Sequence, residues 1–368
     1  WSRATMLVVP YKNGAPVQFT KPISKYIKSQ YSKDEVARQD AAMGALSKYR
    51  AAVMQGSTVG GESGIEGLLD YLAVIRGVRD KLPSSASGKL RLCFTWFDAF
   101  KPRSKTYKYT WDFEAANVWY NLGALHSSLG AHQDRSSQAG VRAAFKHYQE
   151  AVAAFTHLKE EIVPTLEGNL PAEFNQAGLD MCIELHRGHG QSCFYEKAKM
   201  SSMKPGVLAR LAMQASVFYG SASTHCASPV LSRLLVKEGY AKYCQYKTEV
   251  FKAAAEWQQS RQILREAEAK SEGYGIEIAW LKRAHNSCQR ALGHCSQPGD
   301  RESAQALQTA IQTRLNQATE DNNVIYIEPV PRDGSLTDIQ PVDMVKTCTP
   351  PDISARSTPS LFSSLVPP

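Results

Sequence analysis

Histidine and cysteine residues occur in two groups that merit a test as metal ligands. The groups are His186, His189 and Cys193, which fall on one helical face, and His285, Cys288, His294 and Cys295. Structural zinc requires four ligands that converge tetrahedrally, and neither spacing matches a known zinc motif. We therefore expect buried or half-buried helical side chains, and we predict no metal and no cofactor.

Sequence motifs of common enzymes are missing or incomplete. The segment Gly188-x-Gly190-x-x-Cys193 resembles a dinucleotide fingerprint, but it lacks the third glycine and lies inside a helical pattern with no preceding strand. No GxxxxGK[ST], HExxH or GxSxG segment occurs. His126 has no obvious nucleophile or carboxylate partner in sequence, which favours a packing role. We predict a protein that is not an enzyme, with no catalytic residues and no small-molecule substrate.

Basic residues form the more informative pattern. Residues 99–111 carry four cations and no acid, and residues 194–214 carry Lys197, Lys199, Lys204 and Arg210 against Glu196 alone. In the second cluster the cations alternate with apolar residues at helical spacing, such as Val207 and Leu211. An apolar stripe bordered by cations suits an acidic amphipathic helix, whereas core packing is the competing interpretation of the same stripe.

Composition limits the class of protein. The 368 residues include 43 Lys and Arg against 35 Asp and Glu, a net charge of +8 that is too diffuse to indicate nucleic acid and instead favours an acidic partner or an anionic membrane. The eight cysteines form no CxxC pair and are expected to be reduced thiols. Residues 1–5 lack the features of a signal peptide, so we expect an added or disordered leader and a cytoplasmic protein.

Three zones follow along residues 6–368. Residues 6–112 mix helices with alternating strand patterns; a hairpin is predicted around the basic loop at 101–105, and residues 6–11 are a candidate third strand. A Ser-x-x-Glu capping box at Ser32 begins an amphipathic stretch that runs to Val53. A further helical period covers residues 65–82 and stops at Pro83.

Residues 113–326 are predicted to be nearly all helical. Proline and glycine place breaks at 164–171, 204–206, 229, 273–275 and 298–299. The pattern Trp119-x2-Leu122-Gly123-x2-His126 resembles the first helix of a tetratricopeptide repeat. Residues 327–368 are proline-rich and cannot be helical throughout; their apolar residues favour an extended arm with some packing over a flexible tail.

Longer segments resemble the Bro1 domain family of the ALIX type. They read FTWFDAF at 94–100, FEAANVWYNLGALHS at 113–127, AAFKHYQ at 143–149, DNNVIY at 321–326, MVK at 344–346 and LVP at 365–367. The resemblance spans residues 6–368, and the residue sequence of the first segment is most similar to plant or algal members. It implies one mostly α domain: a curved tetratricopeptide-like helical solenoid with a small antiparallel β-sheet and an extended C-terminal arm.

The resemblance also implies a function. Such domains bind the C-terminal amphipathic helix of an ESCRT-III subunit of the charged multivesicular body protein class, in endosomal sorting and multivesicular body formation. The implied location is the cytoplasm, with peripheral recruitment to endosomes. Alternatives on the same fold are a scaffold for a GTPase or a pH-signalling pathway, or direct binding to an anionic membrane.

Residues of the implied groove carry over position by position. The apolar anchors fall on Phe194, Val207 and Leu211, the flanking cations on Lys197 and Arg210, and further rim positions on Val141 and Arg142. This chain departs from the family at Gly188 and Gly190 of the groove helix. Each mid-helix glycine costs ~1 kcal/mol relative to alanine, which lowers the expected rigidity of the groove.

Overall fold

The computed structural model describes residues 6–55, 61–235, 239–346 and 348–366. They form a mostly helical fold with a small antiparallel sheet, as predicted. The leader predicted at residues 1–5 lies outside the described residues.

Four helices precede the sheet: α1 (Thr20–Gln30), α2 (Lys33–Arg38), α3 (Asp40–Gln55) and α4 (Glu62–Val78). Ser32 caps α2 as predicted, because its hydroxyl accepts a hydrogen bond from the Glu35 N–H at 3.1 Å. The amphipathic stretch predicted from here to Val53 is divided into two helices. The division falls at Gln39, whose dihedral angles (φ −93°, ψ 0°) leave the helical region.

The predicted hairpin is confirmed: β1 (Phe94–Phe97) pairs antiparallel with β2 (Lys105–Lys108). A third strand at residues 6–11 is wrong. The backbone instead meets β1 further on, where the Phe97 N–H donates to the Asn13 carbonyl and the Ala15 N–H donates to the Thr95 carbonyl, both at 2.9 Å. Gly14 permits this approach, because a Cβ there would lie 3.3 Å from the Trp96 ring.

The helices that follow are α5 (Trp111–Ala131), α6 (Gln138–His157), α7 (Gln176–Met200), α8 (Pro205–Cys226), α9 (Ser232–Leu235), α10 (Tyr240–Lys270), α11 (Tyr274–His294) and α12 (Pro298–Asp321). Their boundaries confirm the predicted breaks. Helix α8 packs on α10, α10 on α11, and α11 on α12, so consecutive long helices build the layer. A π-helical turn, Asn322–Tyr326, extends α12.

The chain divides into two compact units. Among the described residues, the first unit comprises 6–7, 130–149, 180–235 and 239–346, and the second comprises 8–55, 61–129, 150–179 and 348–366. The second unit contains the hairpin and a buried ion pair in which Arg50 Nε lies 2.7 Å from Glu114 Oε1. The first unit contains every residue of the predicted groove.

The C-terminal arm packs, as its apolar residues indicated. In the first unit Ile339 and Val345 are buried, and in the second unit Leu361, Phe362 and Leu365 are buried. The backbone is extended on both sides of its two short 3-10 turns, at Arg332 and Leu336 and at Asp352 and Arg356. The arm therefore contributes core side chains while its backbone remains available to hydrogen-bond helices.

Candidate partner-binding surface

Helices α7 and α8 approach closely because of a glycine in α7. A Cβ at Gly188 would lie 2.9 Å from the Tyr219 ring of α8, and one at Gly190 would lie 3.3 Å from Val345 of the arm. Helix α7 is nonetheless continuous from Gln176 to Met200. The glycines that lowered the expected rigidity of this region thus allow tight packing of α7 against α8 and the arm.

Two of the three predicted anchors are accessible. Val207 lies in the first turn of α8 and is 43% exposed, and Phe194 of α7 is half-buried beside Phe145, with ring centroids 6.1 Å apart. Lys197 lies next to Phe194, with its Nζ atom 5.8 Å from the ring centroid. Arg142 is exposed in the first turns of α6. We call Phe194, Lys197, Lys204, Val207 and Arg210 the α7–α8 surface.

Leu211, the third predicted anchor, and Val141, a predicted rim residue, are in the core. Leu211 is only 3% exposed, and Val141 is buried in a cluster with Met6, Tyr148 and Cys193. Their expected place on an open groove is therefore corrected, because the packing of the first unit covers both side chains. Helical spacing puts Leu211 near Val207 on α8, but it does not decide which of the two faces solvent.

Arg210 holds the arm. Its Nε atom donates to the Gln340 carbonyl at 3.1 Å, and the Arg210 carbonyl accepts from the Val342 N–H at 3.3 Å. Gln191 reinforces the contact: its amide nitrogen donates to the carbonyls of Leu211 (3.1 Å) and Val342 (2.9 Å), and its amide oxygen accepts from the Met344 N–H (3.0 Å). Arg210 is thus a structural clamp as well as a surface cation.

An open pocket of about 540 Å³ adjoins this clamp. Its lining comprises Lys204, Gly206, Val207, Arg210, Gln259, Gln262 and residues 337–340 of the arm. Sequence reasoning missed the arm as a wall of the surface, because the residues in contact are 130 positions apart in the chain. It also missed the exposed Met200 and Met203, whose position among Lys199 and Lys204 was the available signal.

Residues 194–214 expose a more basic set of charges than the sequence count suggests. Glu196, the one acid among residues 194–214, is buried and pairs with Arg135, whose Nη1 atom lies 3.2 Å from Glu196 Oε1. Burial raises the pKa of Glu196, and the Arg135 charge opposes that rise. Because this carboxylate is buried and paired with Arg135, it does not neutralise the exposed cations.

The histidines of α7 are buried packing groups. His186 Nδ1 lies 2.6 Å from the Cys182 carbonyl, and His189 bridges the Tyr219 hydroxyl (2.8 Å) and the Leu7 carbonyl (3.0 Å). Burial lowers the pKa of His186 to about 4 and lowers that of His189 well below its usual value. Within the described ranges, no three His, Cys, Asp or Glu side chains are grouped so as to hold a metal ion.

Comparison with known proteins decides the family. The family model of the BRO1-like domain matches residues 6–368 of the sequence. The chain belongs to the BRO1-like domain family. One relative is the pH-response regulator palA/RIM20 of Emericella nidulans, which is 28% identical over 99% of this chain and 43% of the relative. Another is the vacuolar-sorting protein BRO1 of Arabidopsis thaliana, which is 28% identical over 98% of this chain and 43% of the relative. The BRO1-like domain described here therefore spans about two fifths of the length of these relatives.

A solved structure agrees with the fold. The BRO1 domain in the ALIX BRO1 CHMP4C complex superposes with a TM-score of 0.83 at 27% identity, covering 98% of this chain and 100% of that one. Among the described residues, no helix of this BRO1-like domain is both long enough and apolar enough to cross a membrane.

Proposed function

We propose that this BRO1-like domain is a non-catalytic adaptor whose α7–α8 surface binds the acidic, amphipathic C-terminal helix of an ESCRT-III subunit. The observation that carries the proposal is an exposed Val207 and a half-exposed Phe194 bordered by Lys197, Lys204 and Arg210. The similarity to an ALIX BRO1 domain solved with CHMP4C supports this choice of partner.

Apolar contacts and charge have different roles in such a complex. Burying Val207 and Phe194 against an apolar helix face supplies affinity, because these side chains lose water only when the partner binds. The surrounding cations attract an acidic helix and set its orientation, so they act mainly on the association rate. The clamp made by Arg210 and Gln191 keeps the arm in place as one wall.

The cellular role follows from the partner. We place the domain in the cytoplasm, recruited peripherally to endosomes, where an ESCRT-III helix couples it to multivesicular body formation. A vacuolar-sorting protein among the relatives supports a place in endosomal sorting.

The deciding experiment uses two valines of the same helix. A fluorescent peptide of an ESCRT-III C-terminal helix is titrated against wild type, Val207→Asp and Val217→Asp. Val207 and Val217 are similarly exposed, but ten residues of α-helix separate them by about 15 Å along α8 and by about 80° around its axis. We expect Val207→Asp to weaken binding about tenfold or more and Val217→Asp to leave it within about twofold. Equal affinity of all three proteins would contradict the proposal.

A second candidate is a scaffold in pH signalling, favoured by the pH-response regulator among the relatives. In that case a different partner occupies the same surface, and ESCRT-III peptides bind wild type and Val207→Asp equally weakly. Direct binding to anionic lipid is separated by flotation with phosphatidylserine vesicles, since lipid attraction by exposed cations fades at physiological salt whereas apolar helix docking persists.

A further inference from the structure

A second exposed apolar surface lies where α12 ends. Val324, Ile325 and Ile327 are 75%, 64% and 77% exposed, and Ile276 in the first turn of α11 is also exposed. They form a short apolar strip with the exposed Tyr326 between them. Four consecutive large side chains that are exposed to water, at 324–327, contribute little to the stability of the fold. We call residues 324–327 together with Ile276 the 324–327 surface.

The strip is held in a fixed conformation. The Glu328 carboxylate accepts hydrogen bonds from the N–H groups of Gly273 (2.8 Å) and Gly275 (2.9 Å) at the start of α11. Asn322 donates to the Glu328 carbonyl (2.9 Å) and accepts from its N–H (3.1 Å). Tyr326 stacks on Tyr274 with ring centroids 3.5 Å apart and planes 7° from parallel. The apolar side chains are therefore presented on a rigid base.

One member of the strip occupies an unfavourable backbone conformation. Ile327 has φ +55°, in the left-handed region that favours glycine and is costly for a β-branched residue. Its side chain is also the most exposed of the strip, so burial within this fold does not compensate for that cost. An isoleucine at this position is explained if another molecule covers it.

The charge around the strip is the reverse of the charge of the whole chain. Residues 266–272 and 320–328 together contain six acids and one lysine, although the protein has a net charge of +8. Glu266, Glu272 and Ile276 line an open pocket of about 500 Å³ next to the strip, together with Ile263 and the single cation, Lys270. Acidic side chains at the edge of the strip repel an anionic membrane and attract a cationic partner.

We propose that the 324–327 surface binds a basic amphipathic helix of a partner protein, with apolar residues on one face and Lys or Arg on the other. The apolar face covers Val324, Ile325 and Ile327, and the cations lie over Glu266 and Glu272. The same physical rules that assign an acidic helix to the α7–α8 surface assign a basic helix here.

The test uses two synthetic helical peptides of about 18 residues, one built of Leu and Lys and the other of Leu and Glu at the same positions. Fluorescence anisotropy measures their binding to wild type, to Val324→Ser/Ile325→Ser and to Glu266→Lys/Glu272→Lys. We expect the Leu–Lys peptide to bind wild type at least about fivefold more tightly than either variant, and the Leu–Glu peptide to show no loss with them. Val366→Ser, an exposed valine of the second unit, is the control and should behave as wild type.

Several results would overturn the proposal. The first is the absence of binding by the Leu–Lys peptide, and the second is equal binding of that peptide by wild type and both double variants. The third is a dimer of the wild type in sedimentation that Val324→Ser/Ile325→Ser abolishes, because this would assign the surface to a second copy of the chain. Val207→Asp separates this surface from the proposed ESCRT-III function, because it should leave the Leu–Lys titration unchanged.

Discussion

The first unit carries two exposed apolar surfaces with opposite charge. The α7–α8 surface has Val207 and Phe194 among lysines and arginines, and Glu196, the one acid among residues 194–214, is buried in an ion pair. The 324–327 surface has Val324, Ile325 and Ile327 among acids. Apolar area alone would make both attractive to the same partners. The charge at the edges is what separates them, so a net charge of +8 describes neither surface.

The two surfaces also differ in what supports them. Side chains of Arg210 and Gln191 bind the arm beside the α7–α8 surface, across long distances in the chain. The 324–327 surface is held by Glu328, whose carboxylate accepts hydrogen bonds from amides 53 and 55 residues earlier in the chain, at the start of α11. Disturbing the first should therefore affect core packing, whereas disturbing the second should affect a helix terminus.

The largest effect tests the division between core and surface on α8. Leu211→Asp places a charge at a side chain that is 3% exposed, and we expect it to lower the free energy of unfolding by about 4 kcal/mol or more. Val207→Asp, four residues earlier, should change it by less than about 0.5 kcal/mol. Urea unfolding followed by circular dichroism compares the two. Similar destabilisation by both would show that Val207 is also a core residue.

An intermediate effect concerns the loss of stability in acid, to which His186 of α7 should contribute. Between pH 6.5 and about 4, an unfolded chain protonates His186 while the native state keeps it neutral, since the native pKa is about 4. Stability is thus lost as the pH falls, by about 2 kcal/mol between pH 7.5 and pH 5 for this residue. Urea unfolding at both pH values is compared for wild type and His186→Asn, which should lose about that part of the pH dependence. An unchanged dependence on pH in the variant would contradict the assignment.

The smallest effect concerns the base of the 324–327 surface. Glu328→Gln removes the charge that faces the N-terminus of α11, and we expect a loss of about 1–2 kcal/mol in the free energy of unfolding. Glu320→Gln, at an exposed position of α12, is the matched control and should change it by less than about 0.5 kcal/mol. Binding of the Leu–Lys peptide should weaken in Glu328→Gln more than in Glu320→Gln, since only the first carboxylate fixes the strip.

Local signals in the sequence were reliable because their causes are local. Proline and glycine ended helices near 204–206 and 273–275, and Ser32 capped α2 through a bond to a residue three positions away. The third strand was misplaced because pairing with β1 depends on which residue allows the backbone close to Trp96, and that residue is Gly14. The sequence does not predict the exposed strip at 324–327, because its residue types contribute to the family resemblance but do not indicate that the side chains are exposed.

The sequence by itself determined the helical class, the hairpin, the family and the concentration of cations in residues 194–214. Only the tertiary structure decided that Leu211 and Val141 are core residues, that Arg210 holds the arm, and that Glu196 is withdrawn from the surface. The physical reason is that helical spacing fixes which residues share a face, whereas burial depends on segments that pack against that face from distant parts of the chain.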